Sequence, residues 1–68
     1  SPEPQGVLFY SPSGVDSYLQ DNQIGDSWCF CIGQTTAAAI RPLTTKMTVS
    51  PKPDTDLLVS IAAIHFRQ

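Results

Sequence analysis

Ile32-Gly33-Gln34-Thr35-Thr36-Ala37-Ala38-Ala39 is the stretch whose reading decides the fold. An apolar run, Trp28 to Ile32, enters a glycine, and two threonines then lead into alanines, the residue of highest helix propensity. The pattern predicts a strand, a turn and a helix. Gly33 is expected to supply the backbone angle of a tight turn, and Thr35 to cap the first helical turn with its hydroxyl. Any N–H groups left free by that cap would face solvent beyond the strand, at the positive end of the helix dipole, where an anion is favoured.

The same order recurs on both sides of this stretch. Upstream, Gly6-Val7-Leu8-Phe9-Tyr10 is continuously apolar, which suits a parallel strand covered on both faces. Ser11-Pro12-Ser13-Gly14 breaks it; Val15, Tyr18 and Leu19 then share one helical face, and Asp21 to Asp26 reads as a loop. Downstream, the helix from Thr35 to Arg41 is limited by Pro42, which removes a donor and crowds the preceding turn. Lys46 to Val49 is a weaker third strand. Ser50-Pro51-Lys52-Pro53 excludes a helix, and Asp54 or Thr55 is the expected cap of a last helix that carries Leu57, Leu58, Ile61, Ala62 and Ile64 inward and runs to the C-terminus. The polar, proline-rich segment 1–5 reads as a tail or the end of a linker, and residues 6–68 as the domain. Three strand-loop-helix units in succession imply an α/β fold of parallel strands joined by right-handed crossovers, with helices on the sheet faces.

That topology has a positional consequence. The loops Ser11 to Gly14, Gly33 to Thr36 and Ser50 to Asp54 must all lie at the edge to which the strands' carboxyl ends point, where open α/β sheets bind ligands. They are rich in Ser, Thr, Gly and Pro. Ser11, Ser13, Thr35 and Thr36 are therefore candidate ligands for an anion or carboxylate held by neutral donors, although helix capping and turn formation alone account for such residues.

Composition narrows the partners. The chain has 68 residues, six acids against four bases and a formal charge of −2 with no basic cluster, which disfavours nucleic acid. A domain of this size buries only about 60% of its unfolded surface and is marginal alone. No apolar run approaches a membrane span, and Ser1-Pro2-Glu3-Pro4 lacks the basic start and apolar centre of a signal peptide, so a cytoplasmic protein is expected. The two cysteines, Cys29 and Cys31, lie on one face of a strand; with His65 far away on the last helix, buried free thiols account for them better than a metal. His65 reads as a helix C-terminal residue favoured by the dipole. Tyr10, at the carboxyl end of the first strand, is the candidate proton donor, whereas Tyr18 is expected to pack and Lys52 to be solvated. The chain contains no nucleophile elbow, nucleotide fingerprint or glycosidase-like acid pair.

Phe9-Tyr10-Ser11-Pro12-Ser13-Gly14-Val15, then Cys31-Ile32-Gly33-Gln34-Thr35-Thr36-Ala37-Ala38-Ala39, then a Pro-X-Pro loop before a terminal helix, resembles the C-terminal part of the uroporphyrinogen-III synthase family. The resemblance extends from about Gly6 to the C-terminus. It implies a flavodoxin-like open-sheet domain within a two-domain enzyme of tetrapyrrole (haem) synthesis, with substrate in the cleft between domains. It further implies a lyase that uses no cofactor and closes the linear tetrapyrrole hydroxymethylbilane with loss of water and inversion of the last pyrrole ring. Ser11, Thr35 and Thr36 then match positions that face the cleft, while Ser13, Gly14, Gly33 and Gln34 complete the loops. Gln34 stands where the family often has Pro, and Lys52 where Thr is frequent. On this reading the chain is a fragment that is not expected to turn over alone; the rest of the enzyme, or another copy of the chain, would pair with an open sheet edge. The rival expectation is a non-catalytic anion-binding or oligomerisation module.

Overall fold

The computed structural model describes residues 3–67. The elements run β1 (Gly6–Phe9), α1 (Pro12–Asp21), β2 (Trp28–Cys31), α2 (Gln34–Ile40), β3 (Met47–Val49) and α3 (Thr55–His65). The strands form one sheet in the order β1-β2-β3, and both pairs are parallel. Gly6 pairs with Trp28 and Phe9 with Cys31; Cys29 pairs with Met47 and Cys31 with Val49. The α/β class and the three parallel βα units are thus as the sequence pattern predicts.

Side-chain alternation along β2 divides the core. Cys29 and Cys31 face one layer, with Phe9, Val15, Ile24, Ala37 and Ile40, whereas Phe30 faces the other, with Leu58 and Ala62. Helices α1 and α2 therefore cover one face and α3 the opposite face. Right-handed crossovers between strands taken in the order 1-2-3 place both connecting helices on the same side, and α3, released from that constraint, packs back over β1 and β2.

Several boundaries differ from the sequence reading. Pro12, Ser13 and Gly14 form the first turn of α1, not a loop, because Ser11 caps them and Pro12 supplies a preset backbone angle where no N–H is needed. Strand β1 stops at Phe9, β2 at Cys31, and β3 begins at Met47. The last helix ends at His65 with Phe66 as its C-cap. Its inner stripe is Leu58, Ile61, Ala62 and His65, so Ile64, expected inward, is 59% exposed. Ser1 and Pro2 of the expected tail, and Gln68, lie outside the described residues.

The rest of the lead is anchored. Trp28 N donates to Gln5 O at 2.9 Å, Ser27 Oγ to Pro4 O at 2.6 Å, and Asp26 N to Glu3 Oε1 at 3.2 Å. The turn that presents Asp26 passes through Gly25 at φ 54, the described glycine that uses its conformational freedom. At the same edge His65 lies between the rings of Trp28, Phe30 and Phe66, with centroids 4.7, 5.3 and 4.8 Å away, and the Trp28 indole donates to Thr48 Oγ1 at 2.9 Å.

Candidate functional site

Parallel register brings the candidate residues together. Phe9 and Cys31 are the last paired residues of β1 and β2, and Ile32 N still donates to Phe9 O at 3.0 Å, so Ser11 and Gly33, each two residues further, leave neighbouring strands at the same edge. The ladder between β2 and β3 also continues one step, Ser50 N donating to Cys31 O at 2.8 Å, which brings the third loop to the same edge.

At β1, Ser11 Oγ accepts from Gly14 N at 3.0 Å and lies 3.1 Å from Ser13 Oγ. Ser11 is thus partly committed to capping α1, while exposed Ser13 extends the hydroxyl pair outward. Tyr10, just beyond the strand, is 46% exposed. The Tyr18 ring, by contrast, packs edge-on against Phe9 at 5.4 Å, its hydroxyl buried without a partner among the described residues.

At β2 the structure corrects two expectations. Gly33 is the N-cap and is extended, with φ −168 and open space where a Cβ would stand, so the turn does not require glycine. Thr35 does not cap: it lies inside the helix, and no side chain accepts from the first turn. Gln34 and Thr35 are exposed, but Thr36 is only 3% exposed and turned inward beside Ala37. Of the two threonines, Thr35 alone is offered to a ligand. Helix α2 is only two turns long, so its dipole adds little and binding there rests on hydroxyl and amide donors.

Sequence reasoning missed a further group at this site. Arg41 follows α2, yet its side chain and that of Gln34 lean toward each other along the helix, and its Nη2 donates to Gln34 Oε1 at 2.5 Å. The only sequence signal was a spacing of seven residues on a helix, which puts both side chains on one face. In the third loop, Ser50 Oγ donates to Lys52 O at 2.5 Å and Asp54 caps Leu57 N at 3.1 Å, so the loop is closed by its own bonds with the Lys52 side chain in solvent.

Beneath the edge, Cys29 and Cys31 are fully buried free thiols, as expected. Burial raises Cys29 above its ordinary value. Burial, and then the neighbouring Cys29, push Cys31 up to about 11 against a smaller opposing effect of the Arg41 charge. Such thiols are poor nucleophiles and poor ligands. Among the described residues no group of His, Cys, Asp and Glu is placed to hold a metal, and no helix is long and apolar enough to cross a membrane. A depression of about 470 Å³ lined by Leu19, Gln20, Asp21, Asn22 and Gln23 lies at the end of α1, remote from these loops, and presents no nucleophile. The chemistry available at the carboxyl edge is thus the presentation of donors to an acceptor-rich ligand. No family model matches the chain, and neither a curated protein nor a solved structure matches it.

Proposed function

We propose that this chain forms one wall of the substrate cleft of a uroporphyrinogen-III synthase, which closes hydroxymethylbilane to uroporphyrinogen III. The observation that carries the reading is the juxtaposition of Ser11 and Ser13 with Gln34 and Thr35 at neighbouring strand ends, a set of neutral donors suited to a ligand rich in carboxylates. In this reading Ser13 and Thr35 donate to side-chain carboxylates, Ser11 fixes Ser13, and Gly14 and Gly33 keep the approach open.

The reacting groups belong to the substrate, so the protein acts mainly by holding it folded. The hydroxyl leaves as water after taking a proton, for which Tyr10, exposed just beyond β1, is the candidate donor. The resulting azafulvene is attacked by the substituted carbon of the terminal ring. The spiro intermediate then fragments and closes at the other carbon, inverting that ring. The second wall of the cleft would come from the remainder of the enzyme.

The test is a titration of the chain with uroporphyrin III, followed by backbone amide chemical shifts. Shifts confined to Tyr10–Gly14 and Gly33–Thr35, weakened severalfold in Thr35→Val and Ser13→Ala, are expected; shifts centred elsewhere, or none, overturn the reading. The isomer ratio formed from hydroxymethylbilane then separates a half-site from a complete one. Type III in excess of the uncatalysed type I product means that these loops direct closure, and type I alone means that the second wall is required.

A further inference from the structure

Four side chains of the sequence carry a fixed positive charge: Arg41, Lys46, Lys52 and Arg67. Lys52 stands in the third loop at the carboxyl edge with its side chain in solvent, and the other three start from the opposite edge. Lys46 faces Asp26 at 3.4 Å, at the edge where the strands begin, and Arg67 follows the end of α3 at that edge. Arg41 also starts from that side, since α2 runs back from the carboxyl edge, but its side chain runs along the helix toward that edge and meets the side chain of Gln34, a first-turn residue.

This contact changes what Gln34 offers. An amide has an acceptor oxygen and two N–H donors, and here one of the oxygen's two lone pairs is taken by Arg41. Gln34 is left to present its N–H groups, and the guanidinium, with five donors, retains those not bonded to the amide. The pair therefore shows mostly donors to solvent, beside exposed Thr35. It is also exposed, so engaging a ligand requires no rearrangement of the core.

We propose that Arg41, held at the carboxyl edge by Gln34, is the cationic anchor for one ligand carboxylate, with Gln34 as its positioning residue. The proposal rests on the carboxylate-binding reading of this edge and adds a charged contact to it. A guanidinium suits this task because its planar fork matches the two oxygens of a carboxylate. The arrangement also gives Gln34 a purpose. A proline at this position would have no amide with which to hold the arginine.

Two probes separate this proposal from the tetrapyrrole reading. Citrate, a compact tricarboxylate, is titrated while the Arg41 Nε–H and Gln34 Nε2 resonances are followed; uroporphyrin III is titrated in parallel. Both resonances are expected to shift with citrate, and Arg41→Ala to weaken uroporphyrin binding about tenfold, the scale of one charge-assisted hydrogen bond. Arg41→Lys should restore part of that loss. Gln34→Glu should weaken binding more than Gln34→Ala, because a carboxylate at 34 neutralises the guanidinium while leaving it in place. In the Arg41→Ala background Gln34→Ala should bring no further loss of binding, a coupling that would not arise if the pair served stability alone. Citrate shifts without uroporphyrin binding would keep the anchor and reject the tetrapyrrole reading. Uroporphyrin binding that is equal in wild type and Arg41→Ala would overturn the anchor and leave that reading intact. No response to either probe overturns both.

Discussion

Cys31 shows how strongly the site floor is insulated. Its thiol is fully buried and shifted from the ordinary 9.0 to about 11. In the unfolded chain it ionises near the lower value, so the folded state holds the proton more tightly. Its contribution to stability is present in full below pH 9 and is lost as pH rises toward about 11. Denaturant titrations across that window should show a steeper loss of stability in the wild type than in Cys31→Ala, whose pH dependence lacks this thiol. Equal slopes would show that Cys31 ionises normally. For the same reason thiol-directed reagents should modify the folded chain far more slowly than the denatured chain at neutral pH.

Among the elements, the two βα turns differ despite their similar composition. Ser11 caps α1 through Gly14 N, whereas α2 begins at Gly33 with no side-chain cap. Ser11→Ala should therefore cost about 1 kcal/mol in thermal or chemical unfolding, while Thr35→Val should stay within about 0.5 kcal/mol. A reversed order would show that the caps are misassigned. Punctuation by Gly and Pro, together with the apolar runs, made the element order readable, because tight turns and β-branched or aromatic runs act locally. The starting points were less readable. Ser-Pro-Ser-Gly has the composition of a turn, yet Ser as a cap followed by Pro at the first helical position also begins a helix. Gly33 and Gly25 look alike in sequence, but only Gly25 takes a positive φ, imposed by its place in the turn held against Glu3. The placing of Gln34 and Thr35 at the carboxyl edge was legible; the burial of Thr36 and the contact of Arg41 with Gln34 depend on helix phase and side-chain reach.

At the scale of the molecule, the sheet has β1 at one border and β3 at the other. Gln5 O and Phe9 O accept from the β2 side, so Gly6 and Leu8 turn their N–H and C=O groups the other way, along a border with no charge or proline to discourage pairing. In the isolated chain the Leu8 amide should exchange with solvent much faster than those of Val7 and Phe9. Leu8 protection that grows with protein concentration would mark pairing with a second copy; protection at high dilution would contradict the open border.

The cluster around His65 has a spectroscopic consequence. Trp28 is the sole tryptophan, its indole bound to Thr48 of β3 and its ring stacked on the last turn of α3. Intrinsic emission is therefore a gauge of how that helix sits on the sheet, read at the end of β2 opposite the hydroxyl-bearing turns. A small, colourless carboxylate that binds at those turns should leave the emission maximum in place, whereas undocking α3 should shift it to the red before the other helices melt.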